Sequence, residues 1–208
     1  MTEPESFKGG AGLINYKRVG VKGYMTDEDL DWLYQTVVGL SDSATIVELG
    51  SFQGLSAIAI GAACLRTQRH LFCIDKWEGV FPGASGENID SAAAFDTFQK
   101  NIQDNGLQDV VTPIRGNIAD IGQTFSMEID MLFIDASHFY VDVLNDIRIW
   151  APKVTIGGII CGHDWDRGHC EVNKAVIEVF GKHMTQRQKR KRFAHHIWDL
   201  VKDREYVE

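Results

Sequence analysis

Four acids and two imidazoles carry most of the chemistry in this sequence: Glu48, Asp75, Asp135, Asp164, His138 and His163. Each acid sits at or just past the end of a short apolar run. Glu48 lies in ATIVEL, Asp75 closes HLFCID, Asp135 closes IDMLFID, and His163-Asp164 follow GGIICG. Strands must end in turns, but nothing about folding demands acids there. If the last two runs are adjacent strands, about 4.8 Å apart, the Asp135 and Asp164 carboxylates can share one ion. Oxygen donors of this kind suit Mg²⁺, which lowers the pKa of a bound hydroxyl and fixes its position. His163, beside Asp164, is a second ligand candidate or a substrate contact. His138 stands three residues beyond Asp135, and a neutral imidazole is an effective general base near pH 7. Plainer roles exist for each: Asp135 capping a helix that starts near Tyr140, His138 as a polar residue of that turn, and Asp164 steadying a turn with Arg167.

The other chemical segment is ELGSFQGLS, residues 48–56. Gly50 and Gly54 allow close approach of the backbone to a ligand and open the following helix. The spacing is G-x-x-x-G, with Ser51 after the first glycine, not the G-x-G-x-x-G of dinucleotide binders. Asp75, closing the next strand, is placed to accept hydrogen bonds from vicinal ribose hydroxyls. A tight turn and a helix cap are the bland alternatives. Together, on consecutive strand ends, the two features point to a nucleoside ligand.

These residues need a scaffold of alternating strands and helices. Residues 26–40 read as a helix, with Thr26 as N-cap, Asp29 completing a capping box, and Leu30, Leu33, Tyr34, Val37 and Val38 on one stripe. Strands are expected over 44–49, 70–75, 110–114, 129–135 and 157–162, and helices over 55–64, 91–104, 139–150 and 171–181. Apolar strands separated by helices indicate a parallel sheet covered on both faces. The fold class is therefore α/β: a doubly wound, Rossmann-like, mostly parallel sheet. A last strand over 193–202 would pair antiparallel at the edge. Residues 1–25 read as an N-terminal tail and substrate-side segment, and 26–208 as a single domain. The long stretch 76–91 reads as a lid-like loop. Trp77 could pack on the ligand or in the core, and Tyr24 could close the other side of the pocket.

The chain of 208 residues is 44% hydrophobic and 24% charged, an ordinary globular composition. No apolar run is long enough to span a membrane, and the polar, acidic start lacks the regions of a signal peptide. A cytoplasmic location and no membrane partner are expected. Four cysteines are too sparse for a disulfide scaffold. Cys161, His163, His169 and Cys170 do not match a standard zinc spacing. The net charge of −8 disfavours nucleic acid as a partner. The basic run at 187–192, RQKRKR, is read as a solvated turn.

The segments VELGSFQG, FCID and IRGNIAD, followed by FIDASHFY and GGIICGHDW, resemble the class I S-adenosylmethionine-dependent methyltransferases. The last two resemble the macrocin-type O-methyltransferases and the related cephalosporin hydroxylase-like proteins. The resemblance spans roughly residues 23–202. It implies S-adenosyl-L-methionine as cofactor, surrounded by Glu48, Gly50, Ser51, Gly54, Asp75, Lys76, Trp77, Asn117, Ile118 and Asp135. It further implies His138 as the base, Asp135 as a catalytic metal ligand, and a metal site of Asp135 and Asp164 with His163 as the alternative donor. Tyr24, His138, His163 and Trp165 are the implied substrate contacts. The implied reaction is O-methylation of a small-molecule or glycosyl hydroxyl, with Mg²⁺ as the assisting ion, in an enzyme that is often a dimer. No Asn/Asp-Pro-Pro-aromatic motif of amino methylation is present. A non-catalytic cofactor-binding protein of the same fold and an NAD(P)-dependent oxidoreductase are the competing readings.

Overall fold

The computed structural model describes residues 15–17, 20–65, 67–82, 88–165, 170–182, 184 and 196–203. The run 187–192, with His169 and Arg167, lies outside the described residues.

Helix α1 (Asp27–Val38) begins as its sequence signals: the Thr26 side chain accepts from the Asp29 N–H, and the Asp29 side chain accepts from the Thr26 N–H. Strand β1 (Thr45–Leu49) leads through the glycine turn into α2 (Leu55–Cys64), then β2 (His70–Asp75). A small antiparallel hairpin, β3 (Val80–Pro82) and β4 (Asn88–Asp90), precedes α3 (Ser91–Asp104). Next come β5 (Val111–Arg115), α4 (Ile118–Thr124), β6 (Ile129–Ile134) and α5 (Tyr140–Trp150). A 3₁₀ turn, Ala151–Lys153, leads into β7 (Val154–Gly162), α6 (Cys170–Phe180) and β8 (Trp198–Val201).

The six-stranded sheet has the order β5-β2-β1-β6-β7-β8. Its five inner pairings are parallel except the last, where β8 runs antiparallel to β7 at the edge. From β1 the chain builds outward through β2 and β5, then returns to lay β6 against the other side of β1. The order therefore reverses between β1 and β6, which is where an open α/β sheet leaves a crevice at its carboxyl edge.

Side-chain alternation divides the core between the two faces. Ile46, Leu71, Cys73, Met131 and Phe133 join α1, α2 and α3 on one face. Val47, Leu49, Ile74, Leu132 and Ile134 join α5, α6 and Trp198 on the other. Full burial of Ile46, Val47, Leu132 and Phe133 explains why the central strands read as continuously apolar.

Two elements depart from the sequence reading. The stretch after Asp75 is not wholly irregular, because it contains the β3–β4 hairpin. Residues 118–124 form a short helix that the sequence reading left unassigned.

Candidate active site

The glycine turn after β1 is built by close approach. Gly50 has φ +86°, and a Cβ there would run into the Asp135 carbonyl and Ala136 Cα at the end of β6. Only glycine permits both the backbone angle and the contact. The Asp75 carboxylate then pins the turn from β2: Oδ2 accepts from the Ser51 and Phe52 N–H groups at 3.1 and 3.0 Å, and Oδ1 from the Trp77 N–H at 2.9 Å. A carboxylate has about four acceptor positions, so one remains beyond these three.

Glu48 lies directly beneath. It is fully buried, and its Oε2 accepts from Ser51 Oγ at 2.6 Å and Cys73 Sγ at 3.3 Å. Its Oε1 is buried with no hydrogen-bond partner. Burial pushes the Glu48 carboxyl up to about 7 against the pull of the nearby Ser51, Ser56 and Cys73 side chains. A buried acceptor left open is costly, and it fits a cationic or N–H donor supplied by a ligand.

Beyond the switch point lies a cluster of acids and imidazoles. His138 Nε2 is 2.7 Å from Asp164 Oδ2, His163 Nδ1 is 3.3 Å from Asp164 Oδ1, and the same nitrogen is 3.6 Å from Asp135 Oδ1. Asp135, His138 and Asp164 each present a donor atom within 4.8 Å of the others. They line one small cleft together with His163, Ser137 and Trp198.

His163 is almost wholly buried, and its Nε2 faces Asp29 Oδ2 at 3.3 Å. Burial alone would lower its pKa. Hydrogen bonds to Asp135, Asp164 and Asp29 outweigh burial and lift it to about 11. With carboxylates at both nitrogens, the ring is a donor on both sides and carries a positive charge.

The two neighbouring acids are driven apart. Burial pushes Asp135 up, while the His138 and His163 rings outweigh burial at Asp164 and hold it well below the usual carboxylate range. The Asp164 hydrogen bond raises His138, against a smaller effect of burial. Phe52, Trp77 and Asp164 are the non-glycine residues with positive φ among those described, at 46°, 42° and 63°. All three follow the carboxyl ends of sheet strands, where strain tends to collect at sites of function.

The expected residues are therefore brought together in two adjoining groups: Glu48, Gly50, Ser51 and Asp75 at one end, and Asp135, His138, His163 and Asp164 at the other. Others fall elsewhere. The Trp77 indole is fully buried against Phe95 and Phe98 and donates to the Phe52 carbonyl at 2.7 Å, so it takes the core alternative. Trp165 is likewise buried, which removes its ring from a solvent-facing substrate surface. Asn117 caps α4, its Oδ1 accepting from the Ala119 and Asp120 N–H groups, with Ile118 as the first residue of that helix. Lys76 is exposed. Tyr24 is 48% exposed and stacks on Phe52 at 6.4 Å, beside the glycine turn. Asp135 caps no helix: the N-cap of α5 is Phe139, without a side-chain cap.

Residues 47–165 match the family described as "Methyltransferase domain". The chain belongs to this methyltransferase domain family. The matched region runs from β1 to the residue after Asp164, so it contains both groups of the site.

A curated relative, "Uncharacterized protein y4gI" of Sinorhizobium fredii (strain NBRC 101917 / NGR234), is 31% identical over 124 residues. That alignment covers 57% of this chain but only 13% of the relative, so this methyltransferase domain corresponds to a small part of a far longer protein. Among solved structures, the O-methyltransferase NovP is similar at a TM-score of 0.63 and 20% identity, over 84% of this chain and 79% of that one. Cofactor-bound Rv0187 from MTB follows at 0.62 and 15%, over 81% and 74%. The O-methyltransferase from Bacillus cereus in complex with SAH stands at 0.61 and 15%, over 85% and 82%. At these identities the likeness is one of fold.

The residue that sequence reading underused is Asp29. It was legible as a capping-box acid, but its complete burial and its pairing with His163, 134 residues away, are tertiary facts.

Proposed function

We propose that this domain transfers the methyl group of S-adenosyl-L-methionine to a hydroxyl oxygen of a small-molecule or glycosyl acceptor. The observation that carries the proposal is the 2.7 Å pairing of His138 with Asp164 beside the glycine turn at the sheet's switch point. When bound, S-adenosylmethionine supplies a methyl already activated on a sulfonium. The protein has then to align the groups and remove one proton.

The cofactor end fits that role. Asp75 has acceptor capacity for ribose hydroxyls, and the unpartnered Glu48 Oε1 suits an α-ammonium. The Gly50 turn leaves backbone accessible beside both. At the other end, Asp164 accepts from Nε2 of His138 and holds that ring beside the cleft, where it would take the acceptor's proton. The methyl carbon would exchange its bond to sulfur for one to the acceptor oxygen, and His138 would hold the proton that this hydroxyl gives up. His163, a donor at both nitrogens, is reassigned from metal ligand to charge compensation for Asp135 and Asp164.

The donors of Asp135 and Asp164, with His138 within 4.8 Å, also fit a divalent cation. Mg²⁺ held by the two carboxylates would supply a lower pKa for the acceptor hydroxyl. A mixed set including the imidazole would favour an ion that takes nitrogen as well as oxygen donors, such as Fe²⁺ or Zn²⁺.

The test is a methyl-transfer assay with labelled S-adenosylmethionine across hydroxyl acceptors, with and without a chelator, on wild type and His138→Ala. Turnover lost in the variant, with S-adenosylhomocysteine affinity kept, supports the assignment. Turnover kept in His138→Ala removes it. Loss on chelation restored by Mg²⁺ assigns the metal role, and indifference to chelation removes it.

A further inference from the structure

We propose that Asp29 is a positioning residue for the reaction, acting through His163 to hold the Asp135 and Asp164 carboxylates in place. The proposal rests on the reading that these carboxylates and His138 form the reaction centre.

A capping-box acid needs only to accept the N-cap N–H, and it can do so at the surface. Asp29 does this, its Oδ2 taking the Thr26 N–H at 2.8 Å and Thr26 Oγ1 at 2.7 Å. Yet it is completely buried and makes two further contacts that capping does not require. Its Oδ1 accepts from the His196 N–H at 2.6 Å, and its Oδ2 faces His163 Nε2 at 3.3 Å. The His196 carbonyl in turn accepts from the Trp165 N–H at 3.0 Å. One carboxylate thus joins the start of α1, the segment leaving β7 and the approach to β8.

The geometry gives this knot a direction. With Nε2 committed to Asp29, the His163 ring has Nδ1 turned toward Asp135 Oδ1 and Asp164 Oδ1. Those two acids follow separate strands, and one nitrogen of His163 faces both. Removing the Asp29 carboxylate frees the ring to turn, and Asp135 and Asp164 lose a shared donor. Such outer partners commonly set the orientation of the groups that do the chemistry.

The test compares Asp29→Asn, which keeps the side-chain shape but removes the charge and leaves one oxygen where two serve Thr26, His163 and His196, with Val37→Ala, a core truncation on the same helix. The activity-independent readout is the nitrogen–proton spectrum of the His163 ring in ¹⁵N-labelled protein, assigned with His163→Gln. The kinetic readout is kcat and KM. Wild type should show the Nε2 proton held against Asp29 and protected from exchange, and Asp29→Asn should lose that pattern. Its kcat should fall at least tenfold, with S-adenosylhomocysteine affinity within threefold of wild type. Val37→Ala should lower stability with kcat unchanged. A His163 pattern that survives in Asp29→Asn overturns the proposal whether or not turnover is found. So does a kcat for Asp29→Asn no lower than that of Val37→Ala. Absence of turnover in wild type on every acceptor counts against the proposed function instead, and the ring spectrum still decides whether Asp29 sets His163.

Discussion

His138 and Asp164 stand 2.7 Å apart just beyond adjacent strand ends, and this is the pair to which the proposed function gives the proton. Removing a positioned base costs on the order of 10²–10⁴ in rate. His138→Ala is therefore expected to lower kcat by that factor, leaving S-adenosylhomocysteine affinity unchanged, as steady-state kinetics and calorimetry would show. Glu48 offers a pH test. Its carboxyl is raised from 4.5 to about 7 by burial. Between those values the folded state holds a proton that the unfolded state has released, so stability falls as pH rises through this window and levels off above it. Glu48→Gln mimics the protonated acid and should remove the loss. The variant should be more stable than ligand-free wild type at pH 8, by up to about 3 kcal/mol at one pKa unit per 1.36 kcal/mol. It should also bind the cofactor more weakly. Denaturant titrations at pH 5 and pH 8 check the sign, and a wild type whose Glu48-dependent stability rises with pH would contradict the burial argument. The acids at the strand ends were legible in sequence because strand ends rarely need them. The charge state of His163 was not, because Asp29 faces it from 134 positions away.

Among the elements, the glycine turn carries the strictest demand. Gly50→Ala must accept φ +86° and contact with the end of β6. The backbone angle alone costs roughly 1–2 kcal/mol, and the clash adds to it. The variant should therefore lose at least that much stability in urea and should lose cofactor binding as β1 and β6 separate. Retention of both would show that the turn tolerates a side chain. Helices α2 and α3 and strand β2 fall where the sequence placed them: α3 has an Asp90 cap, and α2 and β2 are short apolar runs that the core buries. Helix α4 escaped notice because IADIGQT is short and interrupted by Gly122, too brief for a helical stripe to declare itself. The β3–β4 hairpin was hidden by Pro82 and glycine-rich neighbours, which read as loop.

At the scale of the molecule, the sheet order explains why residues from 48 to 164 meet at one edge: β1 and β6 are sequence-distant neighbours, and β7 lies beside β6. The same topology places the two groups of the site on opposite sides of the reversal, the arrangement on which the proposed function rests. Among the described residues no helix is long and apolar enough to cross a membrane. The central claim, that this edge holds S-adenosylmethionine, is tested most directly by thermal unfolding with S-adenosylhomocysteine, with NADH as control. Ligand at 100 times its Kd adds about 2.7 kcal/mol to the folded state. For a domain of this size that raises Tm by roughly 5–10 °C. The account predicts this rise with S-adenosylhomocysteine and none with NADH. A rise with NADH alone, or with neither ligand, would contradict it.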